Sequence, residues 1–418
     1  MKLKKIQSIL SNYSKVFENY FFMTFLQGAN LLIGLLLYPY LIRVLGKESY
    51  GTYVFVLSNI NFFIAFISFG FSHPALKKIS LCREDHEMKN QVVSSVLSAK
   101  FYLFLLSSCI LSILLFTVPF LKENKLLYIL VFSGSLNEVL FPTYYFQGMQ
   151  KMKFVTYIQL MMRILTIPLI LIFVKTPDDI LIYAFVVSAL SVAGGIFSIF
   201  YLRIKEHIVL KLVVFKELKT LFQDSLPFFG SIAFGTIKQE TIILFIGTFF
   251  NKQDVAIYDL ANKIIAIPRL ITHSINSAIF PSVINDINSS RTKKIIRSET
   301  LIGLVFITLI ALFGYWAVLF LGGYSMLSAY PMSIILSVTI YTWLIVGCYI
   351  NYIFIPQSKY NFIAKNQIAA LFSFAIISLV GICIYKNILV IILAYSLSSI
   401  VEVLYCKYVI RKHKLYDF

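Results

Sequence analysis

The sequence predicts an all-α polytopic membrane protein, with about twelve transmembrane helices in two six-helix bundles related as parallel repeats. Three observations predict it. Of the 418 residues, 59% are hydrophobic and only 13% charged, whereas soluble domains carry about 25% charged residues. Apolar runs of spanning length recur along the whole chain. Two sets of landmarks repeat at one offset of about 205 positions.

The first eighteen residues are polar and basic (Lys2, Lys4, Lys5, Lys15). The run behind them is longer than a signal-peptide core and lacks a small-residue cleavage site, so it reads as a first span. Further runs fall at about 50 to 72, 91 to 118, 126 to 147, 154 to 174 and 180 to 203. After a polar interval come 226 to 250, 254 to 283, 300 to 321, 329 to 356, 361 to 385 and 388 to 410. The expected domains are therefore 1–203, a linker at 204–225, and 226–418. In the linker Ile208, Leu212, Phe215, Leu218 and Phe222 recur at helical spacing beside Lys211, Lys216 and Lys219. That pattern predicts a basic amphipathic helix on the inner-leaflet surface.

Lys and Arg accumulate in the even-numbered loops and at both ends (Lys77, Lys78, Arg83, Lys151, Lys153, Arg291, Lys293, Lys294, Lys359, Arg411, Lys412), while the odd loops carry few. Both termini are thereby predicted to be cytoplasmic. The formal net charge of +18 belongs to these loops and forms no continuous nucleic-acid patch. The odd loops are short, against an enzyme working at the outer face.

The repeat rests on Leu45-Gly46-Lys47 with Tyr53, matched by Phe250-Asn251-Lys252 with Tyr258, and on Lys153-Phe154, matched by Lys359-Tyr360. Six helices return a chain to the same side, so duplicated halves run parallel, and transporters so built bind substrate near the midplane.

Ionisable residues interrupt these runs, and a charge at the centre of a span costs at least about 2.5 kcal/mol. Such groups should face protein or a wet cavity. Lys238 and Glu240 lie midway along the seventh span, too far apart around a helix to pair with each other. Asp259 and Lys263 in the eighth are an i, i+4 pair, and Arg269 and His273 follow Pro268, whose missing donor predicts a kink. Glu138 and Arg163 lie at similar depth in neighbouring spans, where they could pair as a structural salt bridge or face a cavity. Lys100 and Glu402 sit nearer the cytoplasmic interface, where structural roles are expected.

No cofactor is predicted. The chain has no G-x-x-x-x-G-K-[ST] loop, H-E-x-x-H motif or nucleophile elbow, and its five cysteines are scattered. Energy for any transport would come from an ion gradient, the membrane potential or the substrate itself.

Two motifs carry a resemblance. The segment from Tyr38-Pro39-Tyr40-Leu41-Ile42-Arg43-Val44-Leu45-Gly46 to Gly51 resembles the P-x-L-x-R-x-L-G...G signature of Wzx-type polysaccharide flippases. The segment Tyr145-Phe146-Gln147-Gly148-Met149-Gln150-Lys151-Met152 resembles their F-Q-G-x-x-x-M motif. The resemblance implies the multidrug/oligosaccharidyl-lipid/polysaccharide exporter superfamily, with two six-helix bundles in a V around a cationic cavity. It further implies translocation of an undecaprenyl-diphosphate-linked O-antigen or capsule repeat unit across the bacterial cytoplasmic membrane, by ion-coupled alternating access. The partners it implies are the lipid-linked oligosaccharide, membrane lipid, a proton or sodium ion, and the polymerase and chain-length proteins of the same pathway.

The residues fit that expectation on their own chemistry. Arg163, Lys238, Lys263 and Arg269 could offset a diphosphate or bind an acidic sugar, and Glu138, Glu240 and Asp259 could take up the coupling ion. A cation-coupled drug exporter would prefer an acidic cavity, and a membrane glycan polymerase a large external loop. A peptidoglycan-precursor flippase would add two C-terminal helices.

Overall fold

The computed structural model describes residues 2–284, 289–357 and 359–415, and among them the chain is helical without a strand. The side chains of His273, Pro281 and Arg291 lie outside the described residues. Helix α1 (Lys2–Val44) and α2 (Gly46–Ser68) are joined by Leu45 alone. Gly46 has φ +73°, a left-handed conformation that glycine adopts without steric cost. The short α3 (Ser72–Leu81) precedes α4 (His86–Thr117), whose N-terminus is capped by Asp85 accepting the Met88 N–H at 3.0 Å.

The fourth expected span, 126 to 147, is not one helix. After the single turn α5 (Pro119–Lys122), it runs as α6 (Lys125–Ser133), α7 (Leu136–Leu140) and α8 (Thr143–Gly148). The breaks fall at Gly134-Ser135 and Phe141-Pro142, where a flexible residue and a missing donor interrupt the ladder. Then come α9 (Met152–Phe173) and α10 (Ile180–Ile204). Beyond the linker lie α11 (Lys219–Phe249), α12 (Lys252–Ile284), α13 (Ser289–Gly322), α14 (Ala329–Tyr349), α15 (Tyr360–Ile384) and α16 (Ile388–Lys412).

Among the described residues, 11 helices are long and apolar enough to cross a membrane. The twelfth expected span is α12, with 33 residues but with Asp254, Asp259, Lys263 and Arg269 along it. The chain is a multi-pass membrane protein. The helices repeat as the landmarks predict, with α9 and α15 starting at the same interval in sequence as α10 and α16.

The linker departs from expectation. Residues 207 to 214 are not helical, and Phe215–Leu218 form a single 3-10 turn before α11. Helix α4 supplies the reason. Val209 N–H donates to Asn90 Oδ1 (3.0 Å), Lys211 N–H to Ser94 Oγ (3.1 Å) and Val213 N–H to Ser98 Oγ (2.9 Å), and Tyr102 OH donates to the Val213 carbonyl (3.1 Å). Side chains four apart on a helix rise about 6 Å, close to the ~6.6 Å between alternate residues of an extended chain. A polar stripe on α4 therefore reads an extended strand in register and satisfies its backbone.

The chain forms two compact units, one of Met1–Gly34 with Val56–Ala233 and the other of Leu35–Phe55 with Phe234–Phe418. The six-plus-six division at the linker counts helices along the sequence and is kept as a proposal.

Each motif anchors one unit. In the second unit, a Cβ at Gly51 would lie 1.7 Å from the Lys252 carbonyl oxygen, so only glycine admits the first turn of α12 there. Beside it, Lys252 Nζ donates to the Gly247 carbonyl at 3.0 Å and sits over the Phe55 ring. In the first unit, a Cβ at Gly148 would meet Ile79 Cγ2 at 2.7 Å, and the Gly148 carbonyl accepts from Arg83 Nε at 2.9 Å. Tyr145 OH and Lys151 Nζ both donate to the buried Glu206 carboxylate, at 3.0 and 2.5 Å.

Gly51→Ala should overpack this contact and destabilise the chain by about 1–3 kcal/mol. By contrast Gly34, which has no atom near an added Cβ, should gain up to ~1 kcal/mol as alanine from helix propensity alone. Thermal unfolding of the purified variants checks this, and equal melting shifts for the two would discount the close approach.

Candidate functional site

The second unit holds a polar cavity of about 350 Å³ inside its spans. Helix α16 contributes Tyr395, Ser399 and Glu402, spaced i, i+4, i+7 on one face. Helix α14 contributes Thr339, Thr342 and Trp343, α11 contributes Lys238 and Gln239, α12 contributes Arg269, and α15 contributes Gln367. Helices α14 and α16 are otherwise largely apolar, so their polar residues gather on the faces that line the cavity.

Two cations and one carboxylate line this cavity. Lys238 Nζ donates to Glu402 Oε1, with side chains only 15% and 8% exposed, and lies 5.9 Å from the Tyr395 ring centroid. Arg269 Nη2 donates to Thr339 Oγ1 at 2.5 Å, and that hydroxyl in turn donates to the Leu336 carbonyl. Threonine orients the guanidinium without cancelling its charge. Among the residues that line the cavity, two positive charges face one carboxylate. Glu240 is buried on α11, two residues beyond Lys238.

The structure separates the other expected site residues from this cavity. Asp259 and Lys263 pair with each other, as their spacing predicts. Tyr50 OH donates to Asp259 Oδ2 at 2.9 Å, and Lys263 Nζ donates to Tyr50 OH at 3.2 Å, with the Tyr38 ring centroid 5.3 Å from the ammonium. Tyr38 OH donates to the Ala256 carbonyl at 3.2 Å. Two motif tyrosines thus tie the 35–55 segment to α12 through a compensated ion pair.

In the first unit Glu138 and Arg163 do not form the salt bridge that is one of their two readings. Lys100 takes Glu138 instead, with Nζ 2.6 Å from Oε1 and 3.0 Å from the Glu138 backbone carbonyl. The break between α7 and α8 accounts for the difference, because a carbonyl at a short helix end needs a donor and one ammonium serves both acceptors. Arg163 lines a different cavity on α9, with Asn137 and Asn30.

Sequence reading placed Glu402 at the interface and missed its part in the cavity, together with Thr339, Gln367 and Tyr395. The signal was present as the stripe of Tyr395, Ser399 and Glu402 down one face of an apolar run. Glu206, which holds the second motif, gave no such signal.

Residues 16–285 match the family model described as "Polysaccharide biosynthesis protein". The chain belongs to this family. A protein of Escherichia coli (strain K12) named "Putative O-antigen transporter" is 24% identical to this family member over 279 residues, 67% of each chain. A Shigella dysenteriae protein of the same name is 24% identical over 266 residues, covering 63% of this chain and 66% of its own. The chain spans about two thirds of the length of the curated relatives it matches.

Solved structures place the family member's fold. The inward-facing conformation of a multidrug resistance MATE family transporter of the MOP superfamily aligns with a TM-score of 0.70 at 15% identity, covering 92% of this chain and 94% of that one. The lipid II flippase MurJ, in an inward closed conformation, aligns with a TM-score of 0.72 at 13% identity over 94% and 87%. At these identities the fold alone is shared, and the resemblance carried by the two motifs holds at the level of the family.

Breaking the Lys238–Glu402 pair with Glu402→Gln should destabilise the chain by about 3–5 kcal/mol, because it strands a buried ammonium. The double variant Lys238→Met with Glu402→Met should recover most of that loss. A double-mutant cycle by thermal unfolding checks it, and strictly additive losses would mean the two groups do not hold each other.

Proposed function

We propose that the protein is a flippase, not an enzyme, which moves an undecaprenyl-diphosphate-linked oligosaccharide of O-antigen or capsule type across the bacterial cytoplasmic membrane. The observation that carries this reading is the net-positive cavity of Lys238, Arg269 and Glu402 inside a membrane-spanning unit. A lipid diphosphate bound to a glycan needs a wet, positive path for its polar part while its tail stays among the acyl chains. Family membership and relatives named for O-antigen transport support it.

The cavity's parts suit such a ligand. Arg269 presents a fork of donors matched to phosphate oxygens, and Lys238 is a point charge on a flexible stem that can exchange Glu402 for an incoming phosphate. Gln239, Gln367 and Ser399 offer neutral partners for sugar hydroxyls, while Tyr395 and Trp343 offer flat faces for a pyranose. Lys263 is already held by Asp259 and Tyr50 and serves the architecture of the unit in this reading.

Ion-coupled alternating access belongs to the same proposal, with a proton or sodium ion taken up at Glu138, Glu240 or Asp259. Glu138 and Asp259 already hold a lysine each. Glu240 lies on the same helical turn as the cavity-lining Lys238 and is tested first. Cytoplasmic termini, and work alongside the polymerase and chain-length proteins of the pathway, complete the reading.

Reconstitution into liposomes with an undecaprenyl-diphosphate oligosaccharide tests it, by following sugar exposure to an external glycan-binding probe with and without ion gradients. Lys238→Ala and Arg269→Ala should each lower the initial rate roughly tenfold, equivalent to about 1.4 kcal/mol, with Glu240→Gln reducing the response to the gradient. Gradient-driven efflux of a small organic cation, without glycolipid movement, would replace this reading with a drug exporter.

A further inference from the structure

The first unit contains a cavity of about 170 Å³ walled by α1, α7, α9 and α10. Its polar lining is Asn30, Asn137, Gln159, Arg163, Thr166 and Ser191, with no carboxylate. Three features of this lining call for a ligand.

The first is Arg163. Lys100, Lys238 and Lys263 each hold a carboxylate, but Arg163 has no ion pair or hydrogen bond among the described residues, although it lies within the Met152–Phe173 span. A guanidinium at membrane depth is costly without a counter-charge. The second is a pair of orphaned acceptors, since Asn30 Oδ1 and Asn137 Oδ1 are buried and find no hydrogen-bond partner. Leaving such a group unsatisfied costs about 1–3 kcal/mol. The third is size, because the cavity exceeds the ~150 Å³ that admits a benzene ring, and a polar cavity does not stay empty.

These features select among ligands. Amide and hydroxyl oxygens alone could hold a metal cation, but the fixed charge of Arg163 repels one. A plain hydrocarbon would bury the amides unsatisfied. Water satisfies the amides and leaves Arg163 without a counter-ion. What meets all three is an anionic oxygen for Arg163 next to hydroxyl or N–H donors for the two carboxamides.

We infer that this cavity is a second binding site, distinct from the Lys238–Arg269 cavity, for a hydroxylated anion the size of one sugar residue, such as a uronic acid or a glycerophosphate. The site rests on its own geometry. Only the identification of its occupant with an acidic residue of the transported glycan rests on the flippase reading, and the other source of the same chemistry is a phosphatidylglycerol headgroup.

The full chain in phosphatidylcholine nanodiscs tests the inference by saturation-transfer NMR and titration with glucuronate, glycerol 3-phosphate and glucose. Glucuronate and glycerol 3-phosphate should bind at least tenfold more tightly than glucose. Arg163→Gln should weaken both at least tenfold while its melting temperature stays at or above that of the parent chain, and Asn137→Ala should weaken them severalfold. The component of binding lost in Arg163→Gln should persist in Lys238→Ala, which separates the site from the other cavity.

Phosphatidylglycerol added to the discs assigns the source. Competition with glucuronate identifies the lipid headgroup as an occupant, and its absence identifies the glycan. Equal binding of glucose and glucuronate, no effect of Arg163→Gln, or no binding of any probe overturns the inference. None of these readouts requires transport, so a failed translocation assay leaves the result interpretable.

Discussion

An ionised side chain in hydrocarbon needs a partner, and the arrangement of this protein follows from where partners are supplied and where they are withheld. Lys100 holds Glu138, Lys263 holds Asp259 and Lys238 holds Glu402. In each case the ion pair also touches a second kind of group: a freed backbone carbonyl at Glu138, a tyrosine hydroxyl at Asp259, an aromatic face beside Lys238. Desolvating an ion costs several kcal/mol, which its pair returns only with further hydrogen bonds. The pairs at Glu138 and Asp259 meet that condition within the protein. The cavity of the second unit adds Arg269, which donates to a neutral hydroxyl.

The two sequence motifs act through packing of the same exacting kind. Gly46 turns the chain within one residue and Gly51 lets α2 meet the first turn of α12, while Tyr38 and Tyr50 fasten the pair Asp259–Lys263. Gly148 does the equivalent against α3, and Tyr145 with Lys151 encloses Glu206. These are contacts made by backbone and small residues, where a methyl group is already too large. The motifs therefore report how the helices are fitted together, and neither supplies a residue to the cavities.

The order and approximate ends of the spans were legible in the sequence, because length and hydropathy are constraints the bilayer imposes on every span separately. Partner choice was not. Glu138 and Arg163 share a depth, but depth does not report that α6, α7 and α8 break the fourth span and turn a carbonyl toward Lys100. The Asp259–Lys263 pair was readable since both partners lie on one helix, four residues apart. The partner of Glu402 was not readable because it is on another helix. The linker misled for a related reason: its apolar residues keep a helical period, yet Asn90, Ser94, Ser98 and Tyr102 offer its backbone a better set of partners than a helix on the membrane surface would. Tertiary hydrogen bonds overrode local periodicity there.

The distribution of uncompensated charge carries the argument furthest. Had every intramembrane cation been paired, the spans would be explained by stability alone and the polar cavities by trapped water. Among the described residues Arg163 and Arg269 are not paired with a carboxylate and they lie in separate units; Arg269 is oriented by a threonine hydroxyl, and Arg163 lines a cavity with amide and hydroxyl groups. Both are arginines, whose charge cannot be lost by deprotonation as a buried lysine's can. Two permanent positive charges at membrane depth, beside donors and acceptors of sugar-like chemistry, carry a cost that the anionic headgroup proposed above would offset.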